Sequence, residues 1–143
     1  MVFPVRTLYS LALRYLTALI VLVVLDAVWL SYSAHALFRP ALATILLDIP
    51  RWTAAALFYL FYAGGIVVFA VTPALRKSSW AVALGHGALV GFLAYMTYDL
   101  TNLASLKAWT NLLAIVDITW GTLLTSFASA VSFTVTSWFA KEA

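Results

Sequence analysis

Residues 11–32 read LALRYLTALIVLVVLDAVWLSY, a run broken only by Arg14 near its start and Asp26 in its interior. It has about the 20 residues that a helix needs to cross roughly 30 Å of hydrocarbon. Three further runs have the same character, at 52–71, 80–103 and 112–133. Each is continuously apolar rather than alternating, and they are too few to close a sheet, so helices are predicted and a barrel is not. The predicted fold is all-α, one transmembrane domain over residues 1–143. It is a polytopic antiparallel four-helix bundle with short connections at Pro73–Ser79 and Ser105–Ala108.

Composition leads to the same class. The chain has 143 residues, 65% hydrophobic and 9% charged, where a soluble domain carries about a quarter of its residues as charge. The net charge of +3 comes from single or paired basic residues at segment ends. That distribution sets membrane topology and makes no face for nucleic acid. Without cysteine, disulfides, thiolate metal sites and cysteine nucleophiles are excluded. Neither a glycine-rich phosphate loop, a Ser-His-Asp order nor a metalloprotease motif is present, and no cofactor or metal is predicted.

The first run is followed by Ala34-His35-Ala36, which has the form of a signal-peptidase site. The apolar core is long for a signal peptide and carries Asp26, so it is read as a span. Between the first two spans, Pro40 fits the first turn of a helix, and Leu42, Ile45, Leu46 and Ile49 fall on one side of it, flanked by Arg39, Asp48 and Arg51. A short interfacial helix is predicted there. Trp52, Trp80, Trp109 and Trp138 stand at span ends, as an aromatic belt does. Arg6, Arg14, Arg76, Lys77 and Lys141 share one side under a four-span topology, against Arg39, Arg51 and Lys107 on the other. The five-to-three bias predicts that both termini are cytoplasmic, with Arg14 snorkelling to that side.

Charges inside a bilayer are costly and mark function or packing. Asp26, Asp99 and Asp117 come from three spans, yet by counting residues all lie roughly 9 to 12 Å below the outer surface. Tyr95, Tyr98 and Asn102 recur at helical spacing around Asp99, and Tyr59 and Tyr62 reach similar depth. Trp29 is one turn from Asp26 and Trp120 one turn from Asp117, which predicts an indole beside each acid. These phenol, indole and amide donors predict an internal polar pocket in the outer leaflet half. Three acids that close cannot all be ionised comfortably, so one is expected to hold a proton, with Asp99 the choice. The motif 25–30, LDAVWL, is echoed by 116–121, VDITWG, on a span of opposite direction, a short match with the form of an inverted repeat.

His86 lies roughly 20 Å along the helix from Asp99 and is read as a packing or interfacial histidine. His35 has no second ligand beside it. Gly87-x-x-x-Gly91, Gly64-Gly65 and the stripe Gly121, Thr125, Ala128, Ser129, Ser132, Thr136 are read as close-packing faces. With surfaces remaining on the third and fourth spans, a homo-oligomer is expected.

The runs 24–30 (VLDAVWL), 98–104 (YDLTNLA) and 116–121 (VDITWG), with 58–62 (FYLFY) and 69–75 (FAVTPAL), resemble the domain of unknown function 2177, a family of small predicted bacterial inner-membrane proteins. The resemblance covers nearly the whole chain and implies a membrane protein with these spans, without implying an activity. The leading reading is therefore nonenzymatic. A pocket lined by Asp26, Asp99 and Asp117 would bind or transport a small cationic or amphipathic ligand, with proton exchange on the acids. The rivals are an enzyme acting on a lipid, with one Asp as general acid or base and Tyr98 or Tyr59 as its partner, and a structural subunit of a larger membrane complex.

Overall fold

A computed structural model describes the backbone of residues 5–142 and the side-chain surroundings of residues 8–140. Outside 43–51, 77–79 and 106–110 the described residues are helical, and none is in a strand. Four helices are long and apolar enough to cross a membrane, at Leu8–Leu42, Trp52–Arg76, Trp80–Ser105 and Asn111–Ala140. We number them in chain order. α1 joins an α-helix Val5–Ser33, a π-helical turn Ala34–Phe38 and a last turn Arg39–Leu42, and α2 joins Trp52–Ile66, a π-helical turn Val67–Val71 and Thr72–Arg76. α3 is Trp80–Ser105 and α4 is Asn111–Glu142.

Both π-turns precede a proline. Pro40 and Pro73 have no N–H for the carbonyl four residues back, and the proline ring crowds that carbonyl. The backbone widens ahead of each and then resumes as α-helix, with Arg39 N–H donating to Ala34 O and Thr72 N–H to Val67 O. The expected separate helix after Pro40 is not formed. Helix α1 runs on through Pro40 and ends at Leu42, and 43–51 is a turn in which Ile45, Leu46 and Ile49 are exposed. At the far end of this turn Pro50 holds Ile49 away from helical backbone.

The sorting of side chains is that of membrane packing. Large Leu, Ile, Val and Phe side chains cover the outside, while Ala18, Ala63, Ala70, Ala74, Ala83, Ala128, Ser129 and Ser132 are buried. Small residues let helices approach closely where apolar surroundings give no hydrophobic gain from burying large ones. Contacts between α3 and α4 pair Gly87 with Ser129, Gly91 with Gly121 and Thr125, and Tyr95 with Gly121, so that residue numbers rise on one helix as they fall on the other. A Cβ on Gly91 or Gly121 would overlap its neighbours. Gly64 and Gly65 differ from the sequence reading: nothing lies within 4 Å of a Cβ at either, and the α2 packing face is instead Ala63, Ile66, Val67 and Ala70.

Helix α4 is the hub. It packs along α3 and α1 and against the π-turn of α2. Its stripe Gly121, Thr125, Ala128, Ser129, Ser132 and Thr136 is buried within the chain, against the other helices. The link between α2 and α3 is closed by a tight turn. Ser78 takes φ 47, Ser79 N–H reaches Ala74 O and Ser78 N–H reaches Leu75 O, the Schellman pattern with serine where glycine is commoner.

Candidate functional site

Asp26, Asp99 and Asp117 are 6, 0 and 7% exposed. No Lys or Arg occurs in 15–38, 78–106 or 108–140, so none of the three has a basic partner at its depth on its own helix. The donors that meet Asp26 and Asp99 are neutral and come from other elements. Asp26 accepts from Tyr59 Oη at 2.7 Å on one oxygen and from Trp120 Nε1 at 2.9 Å on the other. Asp99 accepts from Trp109 Nε1 at 3.2 Å on Oδ1, while its Oδ2 is buried without a donor. The register of α3 on α4, Gly87 with Ser129 and Tyr95 with Gly121, sets Asp99 opposite Asp117.

The indoles are not where i,i+3 reasoning places them. Trp120 serves Asp26 across the helix interface rather than its own neighbour Asp117, and Trp29 Nε1 is buried without a partner. The cause is a stack: the Trp29 and Trp120 rings are 4.7 Å apart and 13° from parallel, so each indole lies over the opposite helix. Trp109 is also corrected. It is 7% exposed rather than part of a belt, and it packs with Leu42, Leu113 and Ala114 under the end of α1, edge-on to Tyr98. Trp52, Trp80 and Trp138 remain exposed.

Of the other predicted residues, Tyr62 shares a 2.8 Å hydrogen bond with Thr125 and meets the Tyr95 ring edge-on. It touches no acid directly. Tyr98 is 53% exposed, and Tyr95, Tyr98 and Asn102 face a cleft of about 910 Å³. Asp26, Trp29 and Asp117 also line this cleft. Asp99 lies behind Asp117, out of it. The cleft exists because α2 meets α3 chiefly through the π-turn Val67–Val71, so its first half, carrying Phe58, stands away from α3. The last turns of α1 and residues 45–48 form the roof, with Arg39 and Asp48 at the rim. That roof was not legible in the sequence, because it depends on α1 continuing through Pro40.

Away from the cleft, His86 Nδ1 is 3.1 Å from Phe69 O. A carbonyl only accepts, so Nδ1 carries the proton. Phe69 is four residues before Pro73, so His86 supplies a donor to the carbonyl that the proline cannot serve. Arg14, predicted to snorkel, donates to Ser10 Oγ at 2.9 Å and Thr72 Oγ1 at 3.4 Å, and its carbonyl accepts from Ser132 at 2.9 Å.

A family model described as "Predicted membrane protein (DUF2177)" matches residues 11–134. Among curated proteins and solved structures there is no match.

Proposed function

The chain belongs to that family of predicted membrane proteins, and from this premise we propose that it binds a small cationic or amphipathic ligand in the cleft between α1, α2 and α3. The observation that carries the proposal is the cleft itself. It measures about 910 Å³, within the usual size of small-molecule sites, and its deep polar groups are two carboxyls, two phenols and an amide. Asp26 and Asp117 attract positive charge, and the Trp29, Tyr95 and Tyr98 rings give it aromatic faces. The separation of α2 from α3 offers an apolar ligand a sideways route past Phe58 and Tyr98. An enzyme acting on a lipid is the second reading, supported by Asp117 and Tyr98 lining the same cleft. Tyr59 is less suited to it, being engaged with Asp26.

The test is equilibrium binding of radiolabelled tetraphenylphosphonium to the full chain in lipid nanodiscs. Saturable binding is expected, weakened about tenfold or more by Asp26→Asn, the order expected for loss of one charged contact. Binding no greater than that of nanodiscs without protein would remove the proposal.

A further inference from the structure

We infer that Asp99 and Asp117 share one proton and that a cation entering the cleft beside Asp117 displaces it, so that ligand and proton exchange one for one. This rests on the cation-binding reading above and adds to it a coupling ion and its place.

The three acids are not equivalent. Both oxygens of Asp26 accept from donors, Tyr59 and Trp120. Asp99 has one donor, Trp109, and its second oxygen is fully buried with none. In the register that pairs Gly87 with Ser129 and Tyr95 with Gly121, the residue of α4 opposite it is Asp117. Two ionised carboxylates have no donor between them and repel, whereas one proton between them supplies the donor and removes the repulsion. The groups that line the cleft beside the pair are Asp26 from α1, Tyr95 and Tyr98 from α3, and Trp109 from the connection, which also bonds Asp99. None is basic, so no positive side chain substitutes for the proton.

The pair is asymmetric in access. Asp99 is sealed, while Asp117 opens onto the cleft. A second observation comes from the other wall. Trp29 Nε1 is buried without an acceptor although Trp29 lines the same cleft. In the repeated Asp-x-x-Trp motif, the Asp26–Trp120 bond is made and its counterpart from Trp29 to Asp117 is not. On the cleft side Trp29 thus offers a donor that no side chain uses, and behind that wall the sealed Asp99 holds an acceptor without a donor. When a cation binds at Asp117, the O–H bond of the pair breaks, the proton leaves to water, and one positive charge replaces another.

Two measurements on the full chain in nanodiscs test this. Without ligand at neutral pH, infrared difference spectroscopy should show the C=O stretch of one protonated carboxyl, lost in both Asp99→Asn and Asp117→Asn. Tetraphenylphosphonium has no titratable group of its own. In weak buffer its binding to the wild type should release about one proton per cation, and its affinity should rise about tenfold per pH unit while the pair is protonated. In Asp99→Asn the amide keeps an oxygen for Trp109 and offers N–H to Asp117. Cation binding should persist there without proton release or pH dependence. Wild-type binding without proton release, or an infrared band unchanged in both variants, overturns the exchange and leaves the cation site standing. Absence of cation binding overturns the exchange together with the proposed function.

Discussion

Asp99 is sealed from solvent with a single N–H donor, and that donor belongs to a tryptophan beyond the end of its own helix. Trp109→Phe would keep a ring against Phe38 and Tyr98 while deleting the donor. Polar contacts in membrane proteins couple by roughly 0.6 to 1.7 kcal/mol in double-mutant cycles. We expect a coupling of that size between Trp109→Phe and Asp99→Leu in unfolding of the purified protein. Additive losses would mean that the indole N–H contributes only through its packing. That the acids share one level of the bundle was legible in the sequence, because 1.5 Å per residue converts position into height along a helix once its ends are known. Their partners were not. Which indole meets which carboxyl depends on helix rotation and on the Trp29–Trp120 stack, neither of which the one-turn spacing on a single helix contains. Trp109 was hidden by its place after Lys107, where a belt residue looks the same as one folded back onto the bundle.

Elements and their breaks were legible where proline and charge interrupt apolar runs, and less so where a helix absorbs the interruption. Pro73 reads as a boundary, yet α2 continues through it to Arg76 by widening into the π-turn Val67–Val71. Phe69 O then accepts from His86, a bond between two helices created by a gap within one. The two residues should therefore be coupled. His86→Phe should cost about 1 kcal/mol in the wild-type background, where Phe69 O loses its side-chain donor. In Pro73→Ala the backbone regains an N–H for that carbonyl, and the same His86→Phe change should cost distinctly less. An equal cost in both backgrounds, read by thermal unfolding in one detergent, would show that the imidazole matters only as packing. The same π-turn is where α2 closes on α3, so its geometry also sets how far the first half of α2 stands from the cleft.

At the scale of the whole molecule, the contact pairs Arg14–Thr72, Asp26–Tyr59, Arg14–Ser132 and Asp26–Trp120 put the beginnings of α1 and the ends of α2 and α4 at one level. The start of α3 follows α2 by a three-residue turn and joins them. Basic residues therefore divide by level: Arg6, Arg14, Arg76, Lys77 and Lys141 against Arg39, Arg51 and Lys107. Hydropathy makes the spans legible but leaves orientation to this small excess, since each Lys or Arg resists translocation when close to a span end. We expect the richer side to face the cytoplasm, so reporter fusions at Ala143 should read inside and fusions within 43–50 outside. The excess is narrow enough to be titrated. Replacing Arg76 and Lys77 together by serine leaves three basic residues against three, and the reporters should then read a mixture of orientations. These two residues are the last of α2 and the first of the turn after it, are exposed, and do not line the cleft, so the change tests topology rather than the site. A single unchanged orientation in the double variant would show that charge is not what fixes it. An outside reading at Ala143 in the wild type, with the N-terminus inside, would remove the four-span topology.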